Sequence, residues 1–155
     1  MPWLRVSHWQ QRQQADCLAA CAAMVLEHLG VSFRYEQLLR LLKIRSHGTT
    51  FSSLQFMTEL DVAVQLCSGE IADLRTHLNN GIPPIVFVNT GLLSYWTSQT
   101  GHALVVSGID KQSVIVHDPA IREPDKRIPI IEFEMAWIEQ DQRYAIVMRT
   151  TPGGD

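Results

Sequence analysis

The spacing of apolar residues changes once along this chain, and that change limits the folds open to it. In residues 17–29 apolar side chains recur every three or four positions, the period of one helix face, and Gly30 follows as a typical helix-ending residue. The same spacing predicts helices over residues 35–42 and 52–60. Helices followed by paired strands are typical of an α+β domain, and we expect the N-terminal helical half to pack on one side of a C-terminal antiparallel sheet.

The strands of that sheet are predicted from apolar runs that follow residue 61. A link of three residues, 110–112, separates two of these runs and suits a hairpin. One further helix is predicted over residues 71–78, between the first two strands. The predicted strands cover residues 62–66, 85–89, 103–109, 113–116, 127–131 and 144–148.

The size and composition of the chain favour a single domain. Its 155 residues are 46% hydrophobic and 19% charged, which provides for one core and leaves little for a second. We therefore assign residues 1–149 to one domain and expect residues 150–155 to form a flexible tail.

Charge and hydropathy argue against two kinds of partner. The formal net charge of −3 offers no basic face to a phosphate backbone, so we expect no nucleic acid partner. The longest apolar runs fall well short of the roughly 20 residues of a membrane-spanning helix, so we expect no transmembrane segment. The N-terminus lacks the pattern of a secretory signal peptide, which predicts a cytoplasmic protein with its three cysteines reduced.

Cys17 is the residue of this chain that is best placed to be a nucleophile. It follows Asp16, a residue type that favours helix N-caps, and so falls in the first turn of the predicted helix. Free backbone N–H groups and the helix dipole stabilise a thiolate there, whereas an ordinary thiol with a pKa of about 8.5 stays protonated at neutral pH. Cys21 and Cys67 are predicted to be packing residues.

A nucleophilic thiol needs a histidine that accepts and returns a proton, and His102 is the best candidate of six. It comes directly after Gly101 at the start of a predicted strand, so the strand holds its ring and the glycine leaves room beside it. Asp118 follows the next strand of the same hairpin, which predicts that its carboxylate fixes the ring tautomer. His117 is the alternative base.

Three segments around these residues carry a family resemblance. They are QRQQADCLAACAAM at Cys17, GHALVVSGID at His102 and VIVHDPA at Asp118. They closely resemble the bacteriocin-processing cysteine peptidases, papain-like domains that trim leader peptides after a double glycine. Further segments in the family's order extend the resemblance over nearly the whole chain: GVSFRYEQLLRLL, HGTTFSSLQFM, NNGIPPIVFVN and EFEMAWIEQDQRYAIVM. The resemblance implies a papain-like fold and peptide-bond hydrolysis that needs no cofactor.

The resemblance also implies a glutamine, six residues before the nucleophile, that stabilises the oxyanion. That residue is Gln11 in this chain. A side-chain amide there and the backbone N–H of Cys17 would both donate to the developing oxyanion. Gln10, Gln13 and Gln14 remain alternatives from the sequence alone.

The implied substrate is a leader or precursor peptide with small residues, of the Gly-Gly type, before the cut. The family's typical member is fused to a transporter, so an ABC-type peptide exporter at the inner face of the membrane is the implied partner. Leu18 stands where the family usually has Gly, and we expect it to narrow the cleft or to alter which residue fits beside the scissile bond. Gly153 and Gly154 resemble the cleaved sequence, but a flexible tail explains them.

Other interpretations of the same residues stay open from the sequence. One is a papain-like binding module with little activity that docks an export substrate on a transporter, although such domains usually lose the cysteine or the histidine. Another is a related acyl-transfer enzyme, because an amine or a thiol can accept the same thioester. A metal site built from Cys17, Cys21 and a histidine is disfavoured, because no second cysteine pair exists.

Tyr95 and Trp96 are predicted to form a lid on the sheet edge or an apolar wall for leader side chains.

Overall fold

The computed structural model describes residues 3–46 and 48–150, and these form four α-helices and six β-strands. His47 and most of the predicted tail, including Gly153 and Gly154, lie outside the described residues. No helix in the described part of the chain has both the length and the apolar character that crossing a membrane requires. The helices are α1 (Cys17–Leu29), α2 (Tyr35–Leu41), α3 (Ile71–Asn79) and α4 (Ile130–Ile138), with 3₁₀ segments at Phe51–Leu60 and Thr90–Leu92. The strands are β1 (Val62–Ser68), β2 (Ile85–Asn89), β3 (Gly101–Ile109), β4 (Ser113–His117), β5 (Lys126–Pro129) and β6 (Arg143–Arg149).

All six strands join one antiparallel sheet in the order β1-β6-β2-β3-β4-β5. The predicted hairpin is β3 and β4, with Val105 opposite His117 and Val106 opposite Val116. A bulge between Val106 and Gly108 shifts the register near the hairpin turn. The architecture is the predicted α+β fold, and β3 has a paired strand on each side.

Both faces of the sheet are covered, each by different helices. Ala103 and Val105 of β3 belong to a core that they share with α1, α2 and the first 3₁₀ helix. Leu104 and Val106 belong to a second core, shared with α3 and α4. Because neighbouring residues of a strand point to opposite faces, these two cores lie on opposite sides of the sheet. The prediction that the N-terminal helices pack on one side of the sheet is confirmed, and α3 and α4 bury the other, apolar face of β3 and β4.

Helix α4 is the element that the sequence pattern hides. The pattern predicts a strand over residues 127–131, but β5 ends at Pro129 and α4 begins at the next residue. Phe133 and Trp137 of α4 are buried against the sheet, whereas Ile131 on the opposite face is 73% exposed. Apolar residues therefore occupy both faces of α4, and the helical period is lost in the sequence.

Helix α1 begins and ends at the predicted positions. Gly30 ends it in the left-handed conformation, with φ of 73°, which glycine adopts without steric cost. Asp16 precedes the helix but does not cap it. Its carboxylate instead accepts hydrogen bonds from the Gln13 backbone N–H at 3.2 Å and from the Tyr35 hydroxyl at 3.4 Å. The first turn of α1 thus keeps its N–H groups free of a capping side chain in the described structure.

The segment before α1 connects the helical half to the sheet. His117, at the end of β4, hydrogen-bonds through Nε2 to the carbonyl oxygen of Val6 at 2.7 Å. Closer to the helix, the backbone N–H of Gln11 donates to the carbonyl oxygen of Pro119 at 2.8 Å. These bonds bring the residues before Cys17 next to the loop that follows β4.

Candidate active site

The first residue of α1 is Cys17, and its side chain borders an open cleft. Leu18 and the rest of the helix up to residue 26 are buried, so the core fixes the position of the helix and of the thiol. Cys17 itself is only partly buried. The backbone N–H groups of Leu18, in the first turn of α1, and of Ala103, in β3, both lower the pKa of the thiol.

The hairpin places His102 and Asp118 on the same face of the sheet. Alternate residues of a strand share a face, so His102 lies in one row with Leu104. The register pairs Val105 with His117. Continued by one residue, it sets Asp118 opposite Leu104 and diagonally next to His102. The short link of the hairpin therefore brings two residues that are distant in the sequence together in space.

These two side chains meet in the interior of the protein. His102 Nε2 lies 2.7 Å from Asp118 Oδ1, and the residues are 3% and 0% exposed. The backbone N–H of Ala120 donates to the same carboxylate oxygen at 2.8 Å. Since Nε2 bonds the carboxylate, Nδ1 is the ring nitrogen left to interact with Cys17, whose pKa the ring lowers. The structure thus brings Cys17 and His102 together at the cleft, with Asp118 bonded to the far side of the ring.

The surroundings of Cys17 favour its thiolate form. Burial raises the pKa of the thiol, but the hydrogen bond to His102 and the positive charge of that ring lower it, and so do the two backbone N–H groups. The net result is a pKa below the ordinary value for a cysteine. One turn further along α1, burial raises the pKa of Cys21 well above that value. Of these two cysteines, only Cys17 is suited to react.

His102 and Asp118 stabilise each other's charged forms. Burial lowers the pKa of His102, but its hydrogen bonds to Asp118 and Cys17, with their charges, raise it to about 9. Burial raises the pKa of Asp118, and the hydrogen bond and charge of His102 outweigh this and hold it below its usual range. At neutral pH the site therefore favours a thiolate, an imidazolium and a carboxylate in sequence, which is the charge pattern of an activated cysteine nucleophile.

Gln11 also lines the cleft, but its amide does not point its donor into it. The amide nitrogen donates to the backbone carbonyl oxygens of Gln13 and Gln14, each at 3.0 Å. The amide oxygen is buried and has no hydrogen-bond partner in residues 3–46 and 48–150. Donation to an oxyanion would therefore require the amide to release one carbonyl. Gln14, one of the sequence alternatives, borders the same cleft.

The cleft has a volume of about 330 Å³ and is lined by both small and aromatic residues. Gly48 and Gly101 contribute backbone, whereas Phe87 and Trp96 contribute ring faces. A Cβ atom on Gly101 would lie only 2.9 Å from the Phe87 ring, so this wall has no space for a larger residue. Leu18 borders the cleft from the α1 core and is 3% exposed.

Two aromatic residues in the segment between β2 and β3 hydrogen-bond to Asp118. The Tyr95 hydroxyl donates to Oδ2 at 2.6 Å, and the Trp96 Nε1–H donates to the same oxygen at 3.0 Å. The Trp96 ring also packs on the His102 ring, with 4.7 Å between centroids. Sequence reasoning predicts a lid or an apolar wall here and misses these polar contacts. The signal that could have found them is the polar atom at the tip of each apolar ring.

The alternative base, His117, is occupied elsewhere. Its Nε2 bonds the Val6 carbonyl, and its Nδ1 accepts the backbone N–H of Asp125 at 3.1 Å. Burial lowers the pKa of His117, so the ring is neutral and acts as an anchor for the N-terminal segment. In the part of the chain that the structure describes, no three His, Cys, Asp or Glu side chains are grouped to hold a metal ion.

The sequence matches the family model described as the Peptidase C39 family over residues 5–152. Among curated proteins it is similar to the colicin V secretion/processing ATP-binding protein CvaB of Escherichia coli, with 26% identity over 117 residues. This match covers 75% of the chain and 15% of CvaB, so the chain spans a small part of that relative's length.

Solved structures with the same fold include two from transporter systems. One is the peptidase domain of Streptococcus ComA, a bi-functional ABC transporter involved in a quorum sensing pathway, with a TM-score of 0.77, 20% identity, and coverage of 94% of this chain and 99% of that one. The other is a double glycine motif protease from an AMS/PCAT transporter in complex with the leader peptide, with a TM-score of 0.76, 20% identity, and coverage of 96% and 94%. At this identity the likeness establishes the fold.

Proposed function

This chain belongs to the Peptidase C39 family, and on that premise we propose that it is a cysteine peptidase whose nucleophile is Cys17. The observation that carries the proposal is that Cys17 and His102 line one cleft, with the His102 ring held by a buried hydrogen bond to Asp118 and lowering the pKa of the Cys17 thiol. A thiol with a lowered pKa beside an imidazole with a raised pKa is what nucleophilic cysteine chemistry needs.

In the first half of the reaction Cys17 becomes acylated. Its thiolate sulfur forms a bond to the scissile carbonyl carbon, and an electron pair moves onto the carbonyl oxygen. When the oxyanion collapses, the C–N bond breaks and the His102 imidazolium gives its proton to the leaving amine. A thioester on Cys17 remains, and Asp118 keeps the His102 ring in place through Nε2.

In the second half a water molecule releases the acyl group. The neutral His102 ring removes a proton from the water, whose oxygen attacks the thioester carbon. The C–S bond then breaks, the product leaves as a carboxylic acid, and the thiolate–imidazolium pair is restored. No group beyond these side chains and water is needed to balance the reaction.

We propose that the backbone N–H of Cys17 and the amide of Gln11 hold the oxyanion. The position of Gln11 in the cleft wall supports this role. Its buried Oε1 has no hydrogen-bond partner among the described residues, so the resting orientation leaves that acceptor unsatisfied there. If the amide rotates during the reaction, it gives up its hydrogen bond to the Gln13 or the Gln14 carbonyl oxygen and donates to the oxyanion instead.

The proposed substrate is a leader or precursor peptide that is cleaved after a Gly-Gly site. The cleft lining supports small residues, because the Phe87 and Trp96 side chains form part of its wall and a Cβ atom on Gly101 would lie only 2.9 Å from the Phe87 ring. A structural relative carries the description of a double glycine motif protease bound to a leader peptide. Residues without side chains would pass such walls most easily.

We also propose that the chain acts on the cytoplasmic side of a membrane, beside an ABC-type peptide exporter. The relatives support this partner, because CvaB is described as a secretion/processing ATP-binding protein and ComA as an ABC transporter. Whether the exporter is a separate protein or part of the same polypeptide does not change the chemistry of the site.

A panel of synthetic peptides with Gly-Gly, Gly-Ala and Leu-Leu at the same position tests the proposal. We expect the parent protein to cleave after Gly-Gly and the Cys17→Ala variant to bind the peptide without turnover. Cys67→Ala, on the edge strand β1, is the matched control and should cleave like the parent. Peptide binding without cleavage by the parent would instead favour the binding module, and cleavage by Cys17→Ala at the parent's rate would contradict the nucleophile.

A further inference from the structure

The segment between β2 and β3, residues 90–100, is fixed at both ends and in the middle. Thr90 is fully buried, and its hydroxyl donates to the Ser98 carbonyl at 2.8 Å and accepts the Thr100 N–H at 2.9 Å. Near the centre, the Ser94 N–H donates to the carboxylate of Glu132 in α4 at 2.9 Å. The two aromatic residues that reach the site therefore project from a loop with few ways to move.

Asp118 is a buried charge whose two oxygens are satisfied by different groups. Oδ1 accepts from His102 and from the Ala120 backbone N–H. Oδ2 accepts from Tyr95 and Trp96, and these are its partners within the described residues. A buried carboxylate oxygen that lacks donors is strongly disfavoured. Without the two aromatic donors, Oδ2 would be left without hydrogen bonds. The carboxylate would then lower its free energy by rotating or by letting a water molecule in, and either change would disturb the bond between Oδ1 and His102.

We propose that Tyr95 and Trp96 are positioning residues of the peptidase site, which hold Asp118 so that Oδ1 stays aligned with His102 Nε2. The inference rests on the proposed function of the Cys17–His102 pair. The two residues differ in one respect. Trp96 lines the cleft and packs on the His102 ring, whereas Tyr95 is not among the cleft-lining residues and acts through Asp118 alone.

The substitution Tyr95→Phe isolates the hydrogen bond from the packing. Lys126 Nζ lies 4.6 Å from the centre of the Tyr95 ring, and a phenylalanine ring would keep that contact. Only the hydroxyl that donates to Asp118 is removed. A loss of activity in this variant therefore cannot be assigned to a missing ring.

The test is the pH profile of Gly-Gly peptide cleavage for the parent, Tyr95→Phe and Trp96→Phe. For Tyr95→Phe we expect kcat to fall about tenfold, because one charge-assisted bond on Asp118 is lost, and KM to stay within about twofold. The alkaline limb should move to lower pH, because an Asp118 carboxylate that is no longer held in line with His102 Nε2 stabilises the imidazolium less. In Trp96→Phe the alkaline limb of the pH profile should move in the same direction. KM should change as well, because Trp96 lines the cleft.

Tyr144→Phe is the matched control, because Tyr144 lies at the α3 side of the sheet and its hydroxyl contacts His77. It should leave kcat and both limbs unchanged. Thermal unfolding of each variant identifies any that fold poorly. Parent-like kcat and pH limbs in folded Tyr95→Phe would overturn the proposal. If the parent itself cleaves no peptide, the proposed function fails, but the pH dependence of Cys17 alkylation still tests whether Tyr95 and Trp96 position Asp118. A pH profile that is unshifted in both variants refutes that role.

Discussion

Asp118 shows how one buried side chain determines the charge state of its neighbours. It has no exposure to solvent, yet its carboxylate receives four hydrogen bonds, from two side-chain donors on Oδ2 and from His102 and Ala120 on Oδ1. These bonds outweigh the cost of burial and hold its pKa below the usual range. Through His102 the same charge helps to lower the pKa of the Cys17 thiol.

The sequence predicts three of these residues for local reasons. Cys17 stands at the start of a helix. His102 and Asp118 stand at the open end of a hairpin, so the short link between its strands brings these two residues near each other. It does not predict the roles of Tyr95 and Trp96, because their polar atoms reach Asp118 across a loop whose path depends on tertiary anchors. The resting orientation of the Gln11 amide is set by two local hydrogen bonds, to the Gln13 and Gln14 carbonyl oxygens, which the residue pattern does not predict.

At the residue scale, Gln11→Ala tests whether the amide rotates to serve the oxyanion. We expect kcat to fall about 100-fold, equivalent to about 3 kcal/mol of transition-state stabilisation, with little change in KM. Steady-state cleavage of a Gly-Gly peptide measures both constants. Gln10→Ala is the matched control, since Gln10 is exposed next to it in the chain. An unchanged kcat in Gln11→Ala would leave the backbone as the oxyanion donor.

Strands β2 and β3 form one wall of the cleft, and they pack closely where the Phe87 side chain of β2 lies beside Gly101 of β3. The pairing sets Asn89 opposite Gly101 and Phe87 opposite Ala103, which brings the Phe87 ring against Gly101. The sequence predicts both strands within two residues of their observed bounds, since apolar runs mark buried strands well. It misses α4 because Ile131 gives that helix an apolar residue on its exposed face as well.

Gly101→Ala should destabilise this wall by overpacking. The added methyl group would lie 2.9 Å from ring atoms of Phe87, so we expect the free energy of unfolding to fall by about 1–3 kcal/mol. Urea denaturation measures this loss. The double variant Gly101→Ala with Phe87→Leu should recover part of it, because the smaller side chain makes room. Equal losses in the single and double variants would show that the ring contact is not the cause.

The molecule as a whole has two cores that share one sheet, and the N-terminal segment joins them at the site. The order of helices and strands in the sequence predicts the α+β fold, and the single six-stranded sheet with its helices confirms it. The family resemblance over nearly the whole chain is confirmed by the match to the Peptidase C39 family over residues 5–152. The covering of the second sheet face by α3 and α4 is not predictable from their order in the chain. It follows from the need to bury apolar strand residues on both faces.

His117 makes the stability of this arrangement depend on pH. Burial lowers its pKa in the folded protein, although the charge of Asp125 opposes this, and His8 lies beside it with 5.4 Å between ring centroids. Below its ordinary pKa of 6.5 the unfolded chain binds a proton that the folded chain refuses, so stability falls as the pH drops. The raised pKa of His102 has no such effect there, because its contribution is fully present below 6.5.

We therefore expect the free energy of unfolding to decrease between pH 7 and pH 5, and to decrease less in His117→Gln. Urea titrations at several pH values measure the slope. A parent-like slope in His117→Gln would assign the pH dependence to other groups.

The most direct test of the central claim, that Cys17 is the nucleophile of a working peptidase, is rapid-quench mass spectrometry with an activated ester of a Gly-Gly peptide. We expect an acyl adduct with the mass of the peptide's N-terminal part, mapped to Cys17, that decays as the carboxylic acid product appears. Cys17→Ala should form no adduct. Product formation by the parent with no adduct at Cys17, or an adduct on another residue that decays at the turnover rate, would contradict it.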